Sequence, residues 1–273
     1  MGADTKQLRT RIKSVTSTLH LTEAMGLVAS SKIRRATDKM YKSREFAEGL
    51  SALTRVLTSC PECKRSPYMR QGGDRTVLLV IAGDRGLAGG YNSNVFKLAA
   101  QYPDARLIPI GKRACDRFGA ETVSSEYFTS EQAYELASLL CEQFRNEEFD
   151  RLGIICTRYD SVLTQTAVLK WLFPLSSEQQ SSEPQSSERE ASVIFEPDEV
   201  TVLNMAVLHY ISGEITAAIR ESFACEVAAR RNAMDSASRN AQTMIDDLQL
   251  QFNRARQGAI TQEITEIVAG SGN

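Results

Sequence analysis

Apolar or small residues recur every three or four positions in long stretches at both ends of the 273-residue chain. The first stretch follows this spacing at Leu8, Ile12, Val15, Leu19, Thr22, Gly26, Ala29, Ile33, Ala36 and Met40. The last stretch follows it at Met234, Ala237, Ala241, Ile245, Leu248, Phe252, Ala255 and Ala259. A seven-residue repeat of this kind predicts helices that pack along one face, and its small residues favour close approach.

The prolines support long helices at both ends. All seven lie between Pro61 and Pro197, and proline interrupts the interior of a helix. We therefore predict one helix over residues 1–58 and another over 198–273, the second roughly 100 Å long at 1.5 Å per residue. Because one helix enters the middle of the chain and the other leaves it, they are expected to pair as an antiparallel, left-handed coiled coil. No globular core buries such a rod, so we expect external support.

The middle of the chain, residues 74–196, alternates strand-like and helix-like segments. Strands are predicted at 76–82, 106–110, 152–156 and 164–174, and helices at 93–101, 112–118 and 131–149. This alternation predicts a central Rossmann-like α/β domain with a mainly parallel sheet. The Ser/Gln/Glu-rich segment 176–192 lacks an apolar stripe and predicts a surface loop.

A glycine-rich turn follows the first predicted strand, where phosphate-binding loops occur. Its glycines include Gly86, Gly89 and Gly90, but no Lys-Ser/Thr pair follows them and no Gly-x-Gly-x-x-Gly spacing is present. We therefore predict a structural turn, with Asn92 capping the next helix.

Composition excludes some functions. The chain has 32 Lys or Arg against 34 Asp or Glu, for a formal net charge of -2, which argues against a protein that coats nucleic acid. The basic residues concentrate in the first 48 positions, ten against five acids, which fits either an acidic partner or a solvated helix face. No apolar run approaches the ~20 residues of a membrane-spanning helix. The first residues resemble neither a secretory signal nor an Arg/Ser-rich presequence.

No catalytic, cofactor or metal site is predicted. Cys60 and Cys63 share a metal-like spacing, but without a second pair they favour reduced thiols over a zinc site. His20 and His209 lie in helical segments and are interpreted as ordinary surface histidines. Two alternatives stay open on these residues alone: a nucleotide-binding α/β enzyme with helical arms, and a coiled-coil scaffold.

Three segments in order along the chain resemble the γ subunits of bacterial F-type ATP synthases. The first includes Arg-Ile-Lys-Ser-Val at 11–15 and Thr-Glu-Ala-Met at 22–25, and the second is Asp-Arg-Gly-Leu-Ala-Gly-Gly-Tyr-Asn at 84–92. The third includes Ala-Arg-Arg-Asn-Ala-Met-Asp at 229–235 and Asn-Arg-Ala-Arg-Gln-Gly-Ala-Ile-Thr-Gln-Glu-Ile at 253–264. The likeness spans the chain.

The resemblance implies a non-catalytic rotor shaft. The shaft would turn inside a ring of three alpha and three beta subunits, with the α/β domain beside the epsilon subunit and the membrane c-ring. It would couple ion flow to ATP synthesis or hydrolysis and bear on the regulation of ATPase activity, peripherally on the cytoplasmic side of the plasma membrane. The implied beta-subunit contacts are Met25, Lys32, Arg34, Arg35, Arg230, Arg256 and Gln257. The implied apolar bearing is Ile260, Ile264, Ile267 and Val268, since a helix tip this apolar predicts a partner.

Overall fold

Two long helices and a four-stranded sheet make up the computed structural model, which describes residues 3–175 and 195–270. The helices are α1 (Ala3–Ser59), α2 (Tyr91–Ala99), α3 (Lys112–Phe118), α4 (Ser130–Arg145) and α5 (Glu199–Gly270), and the strands are β1 (Thr76–Ile81), β2 (Arg106–Ile110), β3 (Arg151–Tyr159) and β4 (Gln165–Phe173). The helices and strands predicted from the sequence are present. The loop predicted at 176–192 lies outside the described residues.

The sheet has the order β2-β1-β3-β4. β1 pairs in parallel with β2 and with β3, whereas β4 returns antiparallel along β3. Every residue of β1 after Thr76 is buried, as expected for a strand covered on both faces. The predicted mainly parallel α/β arrangement is confirmed.

The chain divides into two units. The described residues of Met1–Ser31 and Arg230–Asn273 form the helix-pair unit, and Lys32–Ala229 form the α/β unit. In the α/β unit, one sheet face packs on α4 and on segments of α1 and α5 through residues such as Leu57, Leu140 and Ile211. The other face packs on α2 and α3 through Val95 and Ala114.

The helix-pair unit contains an antiparallel pair. Leu19 packs against Ala241 and Ile245, and further along α1 the hydroxyl of Thr22 lies 2.8 Å from that of Ser238. Because rising positions on α1 meet falling positions on α5, the two helices run in opposite directions.

One described helix, α5, is long and apolar enough to cross a membrane by length and composition alone. The sequence analysis had predicted no segment of this kind. The most apolar window of this helix has a mean hydropathy of 1.3, and 56% of that window is buried inside the protein. Leu203, Val207 and Ile215 of α5 lie in the sheet-facing core, and a buried core helix meets the same criterion.

Candidate functional site

The seam of the helix-pair unit is narrow and built from small or medium residues. A Cβ placed on Gly26 would lie 3.6 Å from the Cβ of Met234, an ordinary van der Waals distance. Thr22 and Ala29 are buried on α1, as are Ala241 and Leu248 on α5. These positions belong to the predicted repeat, so within this unit the repeat identifies the packed face.

Large apolar side chains of the helix-pair unit point away from this seam. Leu27 and Ile267 are 73% and 70% exposed. The exposed set contains Leu21, Leu27, Val28, Met244, Leu250, Ile260, Ile264, Ile267 and Val268. Exposed apolar surface of this extent is typical of a region that binds another protein. We call these residues the apolar flank.

The predicted contact residues are distributed along the two long helices. Met25 and Arg230 are half-buried in the helix-pair unit, where Arg256 and Gln257 are exposed. The remaining three lie in the α/β unit: Arg34 and Arg35 are exposed, and Lys32 is half-buried.

Lys32 has a partner within the α/β unit. Its Nζ lies 2.8 Å from Oε1 of Glu126, whose other oxygen lies 3.5 Å from Nη2 of Arg85. Arg34 and Arg35 therefore present exposed cations on this part of α1, while the charge of Lys32 is already paired.

The glycine-rich turn is organised around the carboxylate of Asp84. This carboxylate accepts hydrogen bonds from the backbone N–H groups of Lys112, Ser125 and Glu126 and from the hydroxyl of Ser124. Burial alone would raise the pKa of Asp84, but these hydrogen bonds hold the pKa below its ordinary value. The side chain thus ties the end of β1 to the segment that precedes α4.

Asn92 does not cap α2, and this prediction was wrong. The N-cap is Gly90, which makes no side-chain capping bond. Asn92 instead accepts a hydrogen bond from the backbone N–H of Gly83 at 2.9 Å and donates to the carbonyl of Arg85. The amide group of Asn92 therefore stabilises the turn from a position inside α2. It can do so because an amide has both an acceptor for the N–H of Gly83 and a donor for the carbonyl of Arg85.

The glycines of the turn differ in what they do. Gly89 adopts a left-handed φ of 57°, and so does the non-glycine Leu87 at 60°. A Cβ on Gly83 would lie 2.6 Å from the carboxyl carbon of Glu226, so no larger residue fits there without displacing that carboxyl. Neither Gly86 nor Gly90 has a left-handed φ; a Cβ on Gly86 would lie 3.2 Å from Nη2 of Arg113, and one on Gly90 would make an ordinary contact at 3.5 Å with Asn94.

This turn is poorly suited to phosphate. Asp84 already occupies a backbone N–H at the start of α3, and the carboxyl of Glu226 lies against Gly83. The carboxylate of Asp84 beside the turn repels an anionic ligand, and the Glu226 side chain takes up space against Gly83. The turn instead contacts α5: the hydroxyl of Tyr91 lies 2.9 Å from the carbonyl of Ser222, and Ala88 packs with Cys225.

The cysteines and histidines form no cluster of metal ligands in the described part of the chain. All six cysteines are free thiols. Burial, with a smaller contribution from Cys60, raises the pKa of Cys63 to about 11, which suppresses the thiolate form. His20 is exposed beside Glu23 and the ring of His209 lies 5.9 Å from that of Tyr134.

A junction that was not predicted from the sequence joins α1, β3 and α5. Glu221 accepts hydrogen bonds from the side chain of Arg44 and from the backbone N–H of Tyr159. Charged residues inside a long helix ordinarily predict solvated positions, so only the fold identifies this one. An acid among apolar residues of α5 is not a distinguishing signal, because Glu214 and Glu226 are buried acids of the same helix.

Comparison with known proteins places this architecture. The sequence profile of the family described as ATP synthase matches residues 4–272. The ATP synthase gamma chain, sodium ion specific, of Acetobacterium woodii is 36% identical over 305 aligned residues, with 99% of each chain covered. The ATP synthase gamma chain of Ruminococcus albus is 36% identical over 287 residues, again with 99% of each chain covered.

Solved structures share the fold at lower identity. A chain from the Euglena gracilis mitochondrial ATP synthase, in the OSCP/F1/c-ring assembly, aligns with a TM-score of 0.68 and 16% identity over 99% of this chain and 94% of that one. A chain from the central stalk and c-ring assembly of the Tetrahymena thermophila mitochondrial ATP synthase aligns with a TM-score of 0.63 and 21% identity over 80% of this chain and 99% of that one.

Proposed function

Because the chain belongs to the ATP synthase gamma chain family, we propose that it is the central-stalk rotor subunit of an F-type ATP synthase. The observation that carries the proposal is the 36% identity to gamma chains over 99% of both sequences. The subunit has no catalytic residues of its own. It belongs to the membrane-associated complex and, in our proposal, lies peripherally on the cytoplasmic side of the plasma membrane.

The proposed mechanism is differential contact. A pair of unlike helices presents a different surface in each direction, so three otherwise equivalent beta subunits around it meet different contacts. Each contact favours one conformation of the catalytic site it touches, which shifts that site's affinity for ADP, phosphate or ATP. Rotation driven by ion flow through the c-ring then passes the three sites through the same cycle in turn.

The apolar flank supports this mechanism, because a ring of alpha and beta subunits would cover it. We propose that Ile260, Ile264, Ile267 and Val268 turn in an apolar collar of the ring. The proposed contacts with beta are Met25, Lys32, Arg34, Arg35, Arg230, Arg256 and Gln257. The epsilon subunit and the c-ring are the proposed partners of the α/β domain.

Reconstitution tests the function. The chain is combined with alpha, beta and the remaining subunits in lipid vesicles, and ATP hydrolysis is measured together with the membrane potential reported by a voltage-sensitive dye, which responds whichever ion moves. We expect ATP-driven potential only when this chain is present. Failure of the chain to join an alpha3beta3 assembly would contradict the rotor and favour an unrelated scaffold. Micromolar ATP or ADP binding by the isolated chain in isothermal titration would favour the nucleotide-binding enzyme instead.

Substitution of Met25 tests the proposed beta contact. Met25→Lys adds a cation to a region of α1 already rich in basic residues, so we expect less ion pumping per ATP hydrolysed while the chain stays folded. Met205→Lys is the matched control, because Met205 is 67% exposed and lies outside the proposed contact set. Normal hydrolysis and normal pumping in the Met25 variant would refute the assignment.

A further inference from the structure

Glu221 connects three elements of the α/β unit. One oxygen, Oε1, lies 2.5 Å from Nη2 of Arg44 on α1 and accepts the backbone N–H of Tyr159, the last residue of β3, at 2.8 Å. The Glu221 side chain is only 17% exposed. A single carboxylate on α5 therefore holds both the other long helix and the end of a central strand.

The ring of Tyr159 extends this junction. It packs against the cluster of Ala36, Met40 and Ala224, which joins α1 to α5. It also packs against the cluster of Ala88, Tyr91 and Cys225, which joins the glycine-rich turn to α5. The residue that Glu221 holds through its backbone is thus the residue shared by both apolar contacts.

Two other ion pairs between the sheet layer and the long helices each involve a single long helix. Lys170 on β4 lies 2.7 Å from Glu214 on α5, and Glu126 pairs with Lys32 on α1. Each of these pairs brings one long helix to one part of the α/β layer. Glu221, by contrast, lies on one long helix and contacts both the other long helix and a strand.

Such a junction matters for a part that transmits force. Apolar contact is non-directional, so packed surfaces resist separation better than sliding. Charge-assisted hydrogen bonds are directional and about twice as strong as neutral ones. Removing one partner of a poorly exposed pair also leaves the other charge uncompensated. Glu221 is therefore placed to resist shear between the sheet and the two helices.

We propose that Glu221, held by Arg44 and Tyr159, is a positioning residue that transmits torque between the α/β domain and the helical shaft. The inference rests on the proposed rotor function and adds to it a specific mechanical junction. When the junction is loosened, the domain slips against the helices, so part of the rotation driven by ATP no longer reaches the membrane sector.

Two Glu221 variants separate the parts of the junction. Glu221→Gln keeps an acceptor for the N–H of Tyr159 but removes the charge that faces Arg44, and Glu221→Ala removes both contacts. Asp160→Asn is the matched control. Asp160 lies one residue beyond Tyr159, and its bonded partners are on the sheet: Arg158 of β3 at 2.8 Å and Thr166 of β4 at 2.7 Å.

The experiment measures membrane potential generated per ATP hydrolysed in vesicles that contain the complete complex, normalised to the amount assembled. We expect this ratio to fall about threefold in Glu221→Gln and further in Glu221→Ala, with hydrolysis retained, because a charge-assisted contact is lost. Asp160→Asn keeps the wild-type ratio. A merely structural role would lower assembly and both activities together and leave the ratio unchanged.

The outcomes distinguish this inference from the rotor function. If the wild-type complex generates potential and both Glu221 variants keep its ratio, the torque junction is wrong and the rotor stands. If the ratio falls equally in Asp160→Asn, the effect is not specific to the junction and the inference is also overturned. If the wild-type chain supports no ATP-driven potential, the rotor function itself fails. Arg44→Met, which spares the Tyr159 hydrogen bond, is expected to match Glu221→Gln.

Discussion

The α/β unit and the helix-pair unit bury their apolar side chains to different degrees. In the α/β unit, Phe144 and Phe173 are fully buried, with ring centroids 4.5 Å apart. In the helix-pair unit the buried seam residues Leu19 and Leu248 are 9% and 5% exposed, and the apolar flank is open. The α/β unit encloses a core, although some of its apolar residues such as Leu163 and Met205 are exposed, whereas the helix-pair unit encloses a narrow seam beside its apolar flank.

This difference separates two uses of hydrophobic residues. In a closed core they stabilise the fold, and removing one leaves a cavity. On an open helix face they contribute little until a partner excludes water from them. We therefore expect matched substitutions to have unequal effects in the two units.

The largest expected effect is a matched pair of leucine truncations. Leu140 is fully buried in the sheet-facing core, so Leu140→Ala should lower the free energy of unfolding of that unit by about 3 to 5 kcal/mol. Leu19→Ala should cost about 2 kcal/mol or less, because the edge of a two-helix seam can relax around the missing atoms. Native-state hydrogen exchange reports each unit separately. Equal losses at the two sites would contradict the comparison.

Substitution of Asp84 is expected to lower the free energy of unfolding by an intermediate amount that depends on pH. Asp84→Asn removes the charge of a carboxylate that accepts five hydrogen bonds and should cost about 1 to 3 kcal/mol at neutral pH. Because the folded-state pKa lies below the ordinary 3.8, the stabilisation is present above 3.8 and is lost as pH falls through the folded-state value. Urea unfolding of wild type and variant should therefore differ at pH 7 and converge in strong acid.

Asp116 provides a control for this pH dependence. It is an exposed acid of α3, so Asp116→Asn should leave the free energy of unfolding within about 0.5 kcal/mol of wild type. A constant difference between Asp84→Asn and wild type at every pH would mean that the carboxylate charge is not what stabilises the turn.

The smallest expected effect tests the polar contact in the helix-pair seam. Thr22→Val removes the hydroxyl that lies 2.8 Å from Ser238 while keeping the side-chain shape. Ser238 is half-buried and can turn to water, so the loss should be about 0.5 to 1.5 kcal/mol, confined to this unit. Hydrogen exchange of α1 amides near position 22 measures it. A loss as large as that of Leu140→Ala would mean that the seam is held by polar contacts.

Much of the fold was predictable because its elements are encoded locally. The repeat that includes Leu19 and Ala241 identified the packed faces of two helices, and the apolar run beginning at Val77 identified a buried strand. Contacts between distant segments were not predictable in the same way. Charged residues inside long helices, such as Glu221 and Arg44, are typical of solvent-exposed positions. Only the folded chain brings these two together. The same reason explains the error at Asn92, whose acceptor role depends on where the turn places Gly83.

The candidate contact residues were found through family resemblance, and their proposed roles depend on surfaces outside this chain. Local chemistry gives Arg34 and Arg256 no property that distinguishes them from other exposed arginines. Ile264 differs, since its exposed apolar side chain is itself a physical reason to expect a partner. The sequence therefore supports a partner contact at the apolar end of α5 more strongly than it supports contacts at these arginines.

The uneven burial of the thiols makes the chain convenient for optical work. All six cysteines fall within the described residues, and Cys60 is half-buried while the other five are buried. A maleimide dye applied to the native protein should therefore attach first at Cys60, directly after α1, without replacement of any other cysteine. A fluorophore fixed there would report the angular steps of the subunit directly.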